Sequence, residues 1–314
     1  MFRKILIANR GEIAVRIIRA ARELGIATVA VYSTADKEAL HTLLADEAVC
    51  IGPAKSTESY LNMNAVLSAA VLTGAEAIHP GFGFLSENSK FATMCEEVGI
   101  KFIGPSGAVM DLMGDKINAR AQMIKANVPV IPGSDGEVHT SDEALAVAEK
   151  IGYPVMLKAS AGGGGKGIRK VEKAEDLVAA FESASSEAKA AFGNGAMYME
   201  RVIYPARHIE VQILADQHGH VVHLGERDCS LQRNNQKVLE ESPSVAIGKT
   251  LRRKIGEAAV RAAQSVGYEN AGTIEFLFDE GKREFYFMEM NTRVQVEHPI
   301  TEFVTGVDIV KEQI

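Results

Sequence analysis

The first hundred or so residues alternate between short apolar runs and stretches with helical periodicity. Apolar residues fill positions 4–8 and 27–32, and between them Ile13, Ile17 and Leu24 recur at helical spacing until Gly25 ends the helix. This order predicts a βαβ unit with parallel strands and a right-handed crossover. Further helices are predicted at 60–73 and 87–98, with strands at 76–79 and 101–104. The N-terminal part is therefore expected to form an open α/β layer.

The pattern changes to α+β in the remainder of the chain. Helices are predicted within 106–127, and the proline-rich segment 128–133 is typical of a domain entrance. Thr140 and Glu143 predict a capping box for the next helix. Strands are then expected at 153–159, 168–171, 196–203, 208–215, 220–226, 237–241, 273–278 and 284–291. One helix is expected to end at residue 191, and another to span 251–266.

Composition limits the class of protein. A hydrophobic content of 46%, a charged content of 24% and 314 residues suit a soluble globular protein of about two domains. No apolar run approaches the ~18 residues of a membrane span, and no secretory signal precedes the first strand. Three widely spaced cysteines predict neither a zinc site nor a disulfide framework, so a reducing cytoplasm is expected. The net charge of −7 argues against nucleic acid as the main partner.

The most informative polar pattern begins on the last predicted strand. Glu289, Asn291, Arg293, Gln295 and Glu297 stand at alternate positions, so they would project on one side if the chain stayed extended. Carboxylate and amide oxygens suit a hard cation such as magnesium, a guanidinium suits a planar oxyanion, and a further carboxylate suits a base. A solvent-facing strand edge is the alternative interpretation.

A second acid, Glu275, lies on the preceding strand of a hairpin that turns near Gly281. Glu275 and Glu289 face the same side only if the loop has odd length or contains a bulge, and we predict that register. Four flanking phenylalanines indicate a buried sheet, where acids need partners. With Asn291, the two acids would hold one or two magnesium ions. Surface carboxylates are the alternative.

A glycine run at 162–165 lies between two predicted strands, with Lys158 before it and Lys166 after it. Because no helix follows, a Walker-type phosphate loop is excluded. Glycine backbones can approach phosphates closely, and the two lysines would supply countercharge. A merely mobile loop is the alternative. The dinucleotide fingerprint is also missing after the first strand, which argues against a nicotinamide enzyme.

Several other polar residues give weaker signals by themselves. Lys116 and Lys237 are typical of solvated lysines, and His208 is typical of a structurally satisfied histidine. Cys229 has no base near it in sequence, so a buried thiol is expected, and His298 before a proline is expected to be structural.

Taken together, the chain resembles the biotin carboxylase family of the ATP-grasp superfamily along essentially its whole length. The segments that carry the resemblance are KILIANRGEIAVRIIRAARELGI (4–26), HPGFGFLSEN (79–88), FIGPS (102–106), LMGDK (112–116), KASAGGGGKGI (158–168), ERDCSLQR (226–233), AGTIEFLF (271–278) and FMEMNTRVQVEHPITE (287–302). The resemblance implies an α/β Rossmann-like domain at 1–114, then an α+β ATP-grasp domain at 115–314. A mobile glycine-rich lid is expected at about 132–203 of the ATP-grasp domain.

The resemblance also implies binding sites for ATP, for magnesium or manganese, and for bicarbonate and biotin. The implied nucleotide contacts are Lys116, Lys158, Gly164, Gly165, Glu200, Arg201, Val202, Ile203, His208, Asn235, Lys237, Glu275 and Glu289. The implied metal ligands are Glu275, Glu289 and Asn291. The implied bicarbonate and biotin pocket consists of Lys237, Arg293, Gln295, Val296 and Glu297, of which Arg293, Glu297 and Lys237 are catalytic and Glu297 is the base.

The implied reaction carboxylates biotin. Bicarbonate attacks the γ-phosphate of ATP to give carboxyphosphate, which yields carbon dioxide and phosphate beside the ureido ring. Phosphate or a nearby group removes the N1 proton, and Arg293 stabilises the resulting oxyanion. This is the first half-reaction of acetyl-CoA carboxylase in fatty acid synthesis. The implied partners are a biotin carboxyl carrier protein, carboxyltransferase subunits and a second copy in the intact family, with no nucleic acid or membrane.

The chain departs from the family pattern at a few positions. Asn234 and Asn235 stand where arginine and histidine are usual, and Phe82 stands where tyrosine is usual. Family members continue well past Ile314, so we expect a C-terminally truncated chain that is weak or inactive with biotin. The alternatives are a catalytically impaired ATP-binding fragment and the biotin carboxylase part of pyruvate carboxylase or another acyl-CoA carboxylase. Another ATP-grasp ligase is disfavoured by the segment at 293–302.

Overall fold

The computed structural model describes residues 1–160, 167–234 and 236–314, and these divide into two compact units. The first unit comprises Met1–Val128, Arg207–Phe276 and Met288–Ile314. The second comprises Pro129–Ala206 and Leu277–Phe287. The change from one unit to the other after Val128 falls at the proline-rich segment. The domain boundary near residue 114 and the extent of the lid stay predictions.

The N-terminal part of the first unit is a parallel sheet, which confirms the predicted α/β layer. Its strands are β1 (Lys4–Ile7), β2 (Ala27–Ser33), β3 (Glu47–Gly52), β4 (Ala77–His79) and β5 (Lys101–Phe102), in the order β3-β2-β1-β4-β5. The helices are α1 (Gly11–Glu23), α2 (Leu40–Leu44), α3 (Met63–Thr73), α4 (Ser89–Glu97), α5 (Gly107–Gly114) and α6 (Lys116–Lys125). Ile5, Leu6 and Ile7 are fully buried, as expected for a central parallel strand with both faces covered.

The second unit contains a small three-stranded sheet and two helices. Its elements are α7 (Ser141–Ile151), β6 (Val155–Ala159), β7 (Arg169–Val171), α8 (Ala174–Phe192) and β8 (Met197–Arg201). Both β7 and β8 pair with β6 in the antiparallel sense. Leu157, Leu177 and Met199 are fully buried in its hydrophobic core. The predicted capping box is confirmed at the start of α7, where Thr140 and Glu143 bond each other's backbone N–H groups.

A five-stranded sheet carries most of the polar residues predicted to be functional. Its strands are β9 (Ala206–Ala215), β10 (Val221–Arg233), β11 (Gln236–Glu241), β12 (Asn270–Asp279) and β13 (Glu284–Asn291), in the order β11-β10-β9-β12-β13. The remaining helices are α9 (Lys249–Ser265), α10 (His298–Thr305) and α11 (Ile309–Gln313). In the described part of the chain, no helix has both the length and the apolar character needed to cross a membrane.

The two faces of this sheet differ sharply in polarity. On β9, Ile209, Val211 and Ile213 are buried on one face, while Glu210 and Gln212 are buried on the other. Because side chains alternate along a strand, this pattern gives the sheet one apolar face and one face of buried polar groups. The buried polar face must satisfy its own hydrogen bonds, and this requirement shapes the site below.

The capping box generates a prediction about stability. Replacing Thr140 by alanine removes the side-chain oxygen that accepts from the Glu143 amide at 3.2 Å. We expect Thr140→Ala to lower the free energy of unfolding by about 1 kcal/mol and to weaken amide protection within α7. Urea denaturation and hydrogen exchange measure the two effects. Thr140→Ser, which keeps the oxygen, is the control, and equal destabilisation by both variants would contradict a capping role.

Candidate active site

A cavity of about 810 Å³ lies on the polar side of the five-stranded sheet, within the first unit. Nine residues singled out from the sequence line it: His208, Lys237, Glu275, Glu289, Asn291, Arg293, Gln295, Val296 and Glu297. They come from the strands of the sheet and from the segment between β13 and α10, so the fold gathers residues that lie up to 89 positions apart (297 − 208) in the sequence.

Lys237 is the cation that links the acids of this cavity. Its Nζ donates to Glu210, to Glu275 Oε1 at 2.9 Å and to Glu297 Oε1 at 2.6 Å. Burial by itself favours the neutral amine, but the Glu210 and Glu275 charges outweigh burial and raise the pKa of Lys237 above its usual value. The lysine therefore carries its positive charge at neutral pH.

Glu275 accepts hydrogen bonds from several sides. Asn291 Nδ2 donates to its Oε1 at 2.8 Å and Gln295 Nε2 at 3.1 Å, while His208 Nε2 lies 2.7 Å from its Oε2. Burial favours the neutral acid, but His208 and Lys237 outweigh burial and lower the pKa of Glu275 to about 2. Glu275 is therefore a fixed carboxylate at neutral pH.

The predicted alignment of the acids on one side of the hairpin is confirmed in the structure. Glu289 lines the same cavity as Glu275, and the Asn291 amide reaches Glu275 directly. Glu289 lies on the cavity wall, where desolvation and then the Glu275 charge raise its pKa, while the charge of Lys116 opposes the rise. Two carboxylates, with the Asn291 amide whose Oδ1 accepts from Arg293 in this structure, are the kind of oxygen donors that Mg²⁺ or Mn²⁺ takes. These residues therefore fit a divalent cation.

Arg293 is held from two sides. Its Nη2 donates to Asn291 Oδ1 at 2.9 Å, and its Nε donates to Glu87 Oε2 at 2.9 Å. The other Glu87 oxygen accepts from the Thr292 amide at 3.0 Å, so Glu87 ties this segment to the N-terminal part of the same unit. The guanidinium plane is fixed beside the cavity, a geometry suited to a planar oxyanion.

The condition that the chain stays extended as far as Glu297 is not met in the structure. Strand β13 ends at Asn291, and the chain then turns into α10, which begins at His298. Gln295 and Glu297 reach the cavity from this turn, and the Val296 side chain is 63% exposed. The side chains converge because the turn brings them together, and not because a strand alternates.

Glu297 and its neighbours show how the turn is built. Burial favours the neutral acid, but hydrogen bonding and charge from Lys237 outweigh it and lower the pKa of Glu297, so Glu297 is ionised at neutral pH. His298 Nδ1 lies 2.6 Å from the Gln295 carbonyl, which confirms a structural role.

Cys229 is fully buried, and burial followed by the Glu210 charge raises its pKa, so it is the buried thiol expected.

Other residues implied by the resemblance lie in the second unit. Lys158 on β6 donates to Glu200 on β8, which makes an ion pair between the two strands. Arg201 Nη2 donates to the Tyr286 hydroxyl at 3.0 Å, and the Val202 amide donates to the Pro154 carbonyl at 2.8 Å. Ile203 is buried in a small apolar cluster. Gly164, Gly165 and Asn235 lie outside the described residues.

Four charged residues of the site were missed from the sequence, and one of them, Glu240, lines the cavity. Glu210 contacts Lys237, Arg227 contacts Glu210, and Glu87 contacts Arg293. A usable signal was present on β9, where His208, Glu210 and Gln212 alternate with apolar residues. No comparable signal marked Glu87, because its partner lies 206 positions away in the sequence.

Comparisons with known proteins show which family the chain is similar to. Residues 1–110 match the family model "Biotin carboxylase, N-terminal domain", and residues 115–314 match "Carbamoyl-phosphate synthase L chain, ATP binding domain". Biotin carboxylase 1 of Bacillus subtilis is 58% identical over 314 residues, which cover 100% of this chain and 70% of the relative. A pyruvate carboxylase subunit of Methanothermobacter thermautotrophicus is 57% identical, with 100% of this chain and 64% of the relative covered.

The chain is also similar to a solved structure in both fold and sequence. The biotin carboxylase domain dimer of 2-oxoglutarate carboxylase from Hydrogenobacter thermophilus, in complex with MgADP, ADP and bicarbonate, has a TM-score of 0.89 and 54% identity. The alignment covers 100% of this chain and 69% of that chain. On the strength of the two family models and of relatives that match over its whole length, the chain belongs to the biotin carboxylase family.

Proposed function

We propose that the protein catalyses the ATP-dependent carboxylation of biotin with bicarbonate, as an ATP-dependent ligase. One observation carries the proposal: a single cavity combines the cations Lys237 and Arg293 with the ionised Glu297, beside a set of metal-type oxygen donors. Cations that bind an oxyanion, a base and donors for a metal–nucleotide complex are what this reaction requires.

In this proposal, Lys237, Arg293, Gln295 and the Val296 backbone bind bicarbonate, and Glu297 accepts its proton. The deprotonated oxygen attacks the γ-phosphorus of ATP, the bond to the β-phosphate oxygen breaks, and ADP leaves as carboxyphosphate forms. Carboxyphosphate then splits into carbon dioxide and phosphate. Phosphate takes the N1 proton of biotin, N1 bonds to the carbon dioxide carbon, and Arg293 stabilises the ureido oxyanion meanwhile.

The nucleotide side of the site is also part of the proposal. Lys116, His208 and Lys237 would contact the phosphates from the first unit, and Glu275, Glu289 and Asn291 would hold magnesium or manganese. A divalent cation bound there would neutralise negative charge on the phosphoryl oxygens. Further nucleotide contacts are proposed, from the resemblance, at Lys158, Gly164 and Gly165 and, beside the adenine, at Glu200, Arg201, Val202 and Ile203. Asn235 would contact the nucleotide as a neutral substitute for histidine.

The partners follow from the product. Carboxybiotin must be passed on, so we propose a biotin carboxyl carrier protein, carboxyltransferase subunits and a second copy of the chain as partners, in the cytoplasm. Acetyl-CoA carboxylase in fatty acid synthesis is the proposed assembly. The similarity to a pyruvate carboxylase subunit favours pyruvate as the alternative acceptor, and the acyl group of another acyl-CoA is a further alternative.

A second candidate is an ATP-binding chain with little turnover. The observation in its favour is the pair Asn234 and Asn235, which removes positive charge where arginine and histidine are usual. The two candidates differ in one measurement, because only the first releases ADP in a manner that depends on bicarbonate and biotin.

The proposal predicts a base-dependent turnover. We expect the chain to release ADP only slowly with bicarbonate and free biotin, and Glu297→Gln to lower that rate by about 100-fold or more. The amide keeps the size of the side chain and the contact with Lys237 but accepts no proton. A coupled ADP assay measures the rate, and Glu257→Gln on the exposed face of α9 is the matched control. Binding of ATP without ADP release in the unmodified chain would favour the second candidate.

The metal set predicts a loss of cation affinity. In Glu289→Gln, one of two carboxylates becomes neutral without a change of volume, so we expect Mn²⁺ affinity in the presence of ATP to fall by at least about tenfold. Electron paramagnetic resonance of free Mn²⁺ gives the affinity. Glu284→Gln, on the same strand but outside the cavity, should bind Mn²⁺ as the unmodified chain does. Equal affinities in all three proteins would remove Glu289 from the metal site.

A further inference from the structure

Arg227 on β10 is completely buried, and its donors are fully matched by acceptors. Nε donates to Glu210 Oε1 at 2.5 Å. Nη1 donates to Gln212 Oε1 and Thr301 Oγ1, both at 2.8 Å, and Nη2 donates to Gln295 Oε1 at 2.9 Å and Thr273 Oγ1 at 3.3 Å. A guanidinium has five N–H donors, so each one has a partner. A buried arginine is tolerated only when its charge is paired and its N–H groups are hydrogen-bonded.

The contact with Gln295 fixes the direction of an amide that lines the cavity. Because Gln295 Oε1 accepts from Arg227, its Nε2 must point the other way, and it donates to Glu275 Oε1 at 3.1 Å. The flipped amide would place its N–H groups against the N–H groups of the guanidinium. Arg227 therefore makes Gln295 present a donor, and not an acceptor, beside the place proposed for an anion.

The contact with Glu210 fixes a second group. Arg227 and Glu210 are direct partners across β10 and β9. Arg227 donates to Glu210 Oε1, and Lys237 donates to the other carboxylate oxygen, Oε2. The Arg227 charge also offsets the Glu210 charge, so that Lys237 is not surrounded by three uncompensated carboxylates. Both effects place the Lys237 ammonium at the cavity wall.

We propose that Arg227 is a positioning residue for bicarbonate, which orients the Gln295 amide toward the anion and holds Glu210 so that Lys237 faces it. The inference rests on the proposed function. Arg227 itself does not line the cavity, so it acts through Gln295 and Glu210. A merely structural arginine would affect the stability of the chain but not the affinity for bicarbonate relative to the affinity for nucleotide.

The test is bicarbonate binding by Arg227→Lys, measured by calorimetry on the full chain saturated with MgADP. Lysine keeps the charge but lacks the fork that reaches Glu210 and Gln295 together. We expect the Kd for bicarbonate to rise by about tenfold or more, and the Kd for MgADP to change by less than about twofold. The matched control is Thr301→Val, which removes one acceptor of Arg227 that does not line the cavity. It should lower the melting temperature without changing the Kd for bicarbonate.

A second readout follows the Gln295 amide itself by ¹⁵N glutamine-labelled NMR, with the signal identified by its loss in Gln295→Glu. In the unmodified chain it should shift when bicarbonate is added, and in Arg227→Lys its shift should change before any addition. If Arg227→Lys does not fold, the titration of the unmodified chain decides, because an unresponsive amide overturns the inference.

The outcomes separate the inference from the proposed function. Absence of bicarbonate binding by the unmodified chain overturns the proposed function, and the positioning role with it. Normal binding by the unmodified chain, with the same Kd in Arg227→Lys, overturns the positioning role alone. An equal rise of Kd in Arg227→Lys and Thr301→Val also overturns it, since the effect would then follow from stability.

Discussion

The site depends on the buried carboxylate of Glu210, whose two oxygens are shared between Arg227 and Lys237. Glu210 is completely buried, so its charge is tolerable only because both oxygens are bound to cations. Removal of one partner from such a pair typically costs about 3–5 kcal/mol. The two cations in turn contact Glu275, Glu297 and Gln295, so the geometry of the cavity depends on this single acid.

The sheet order makes this arrangement possible. The central strand β9 carries Glu210, its neighbour β10 carries Arg227 directly opposite, and β11 carries Lys237. On the other side of β9, β12 brings Glu275 to the same face. A one-residue slip of any of these strands would turn its polar residues toward the apolar face. The buried charges therefore specify the register as well as the chemistry.

Much of the fold could be predicted from the sequence, because the local patterns agree with the global structure. The parallel layer, the capping box at Thr140 and the shared side of Glu275 and Glu289 all followed from periodicity and turn chemistry. Strand β3 was not predicted, since half of its residues are exposed and they carry no clear apolar alternation. The Glu210–Arg227 pair was not predicted either, because β10 shifts register between His223 and Glu226, and a bulge is invisible in sequence.

The oxygens of Glu275 are shared among competing donors, and this sharing couples the two halves of the cavity. Oε1 accepts from Lys237, Asn291 and Gln295, and Oε2 lies against His208. Asn291 belongs to the proposed metal set, and Lys237 and Gln295 belong to the proposed bicarbonate pocket, yet all three donate to the same oxygen. The metal side and the anion side of the site are therefore linked through one carboxylate.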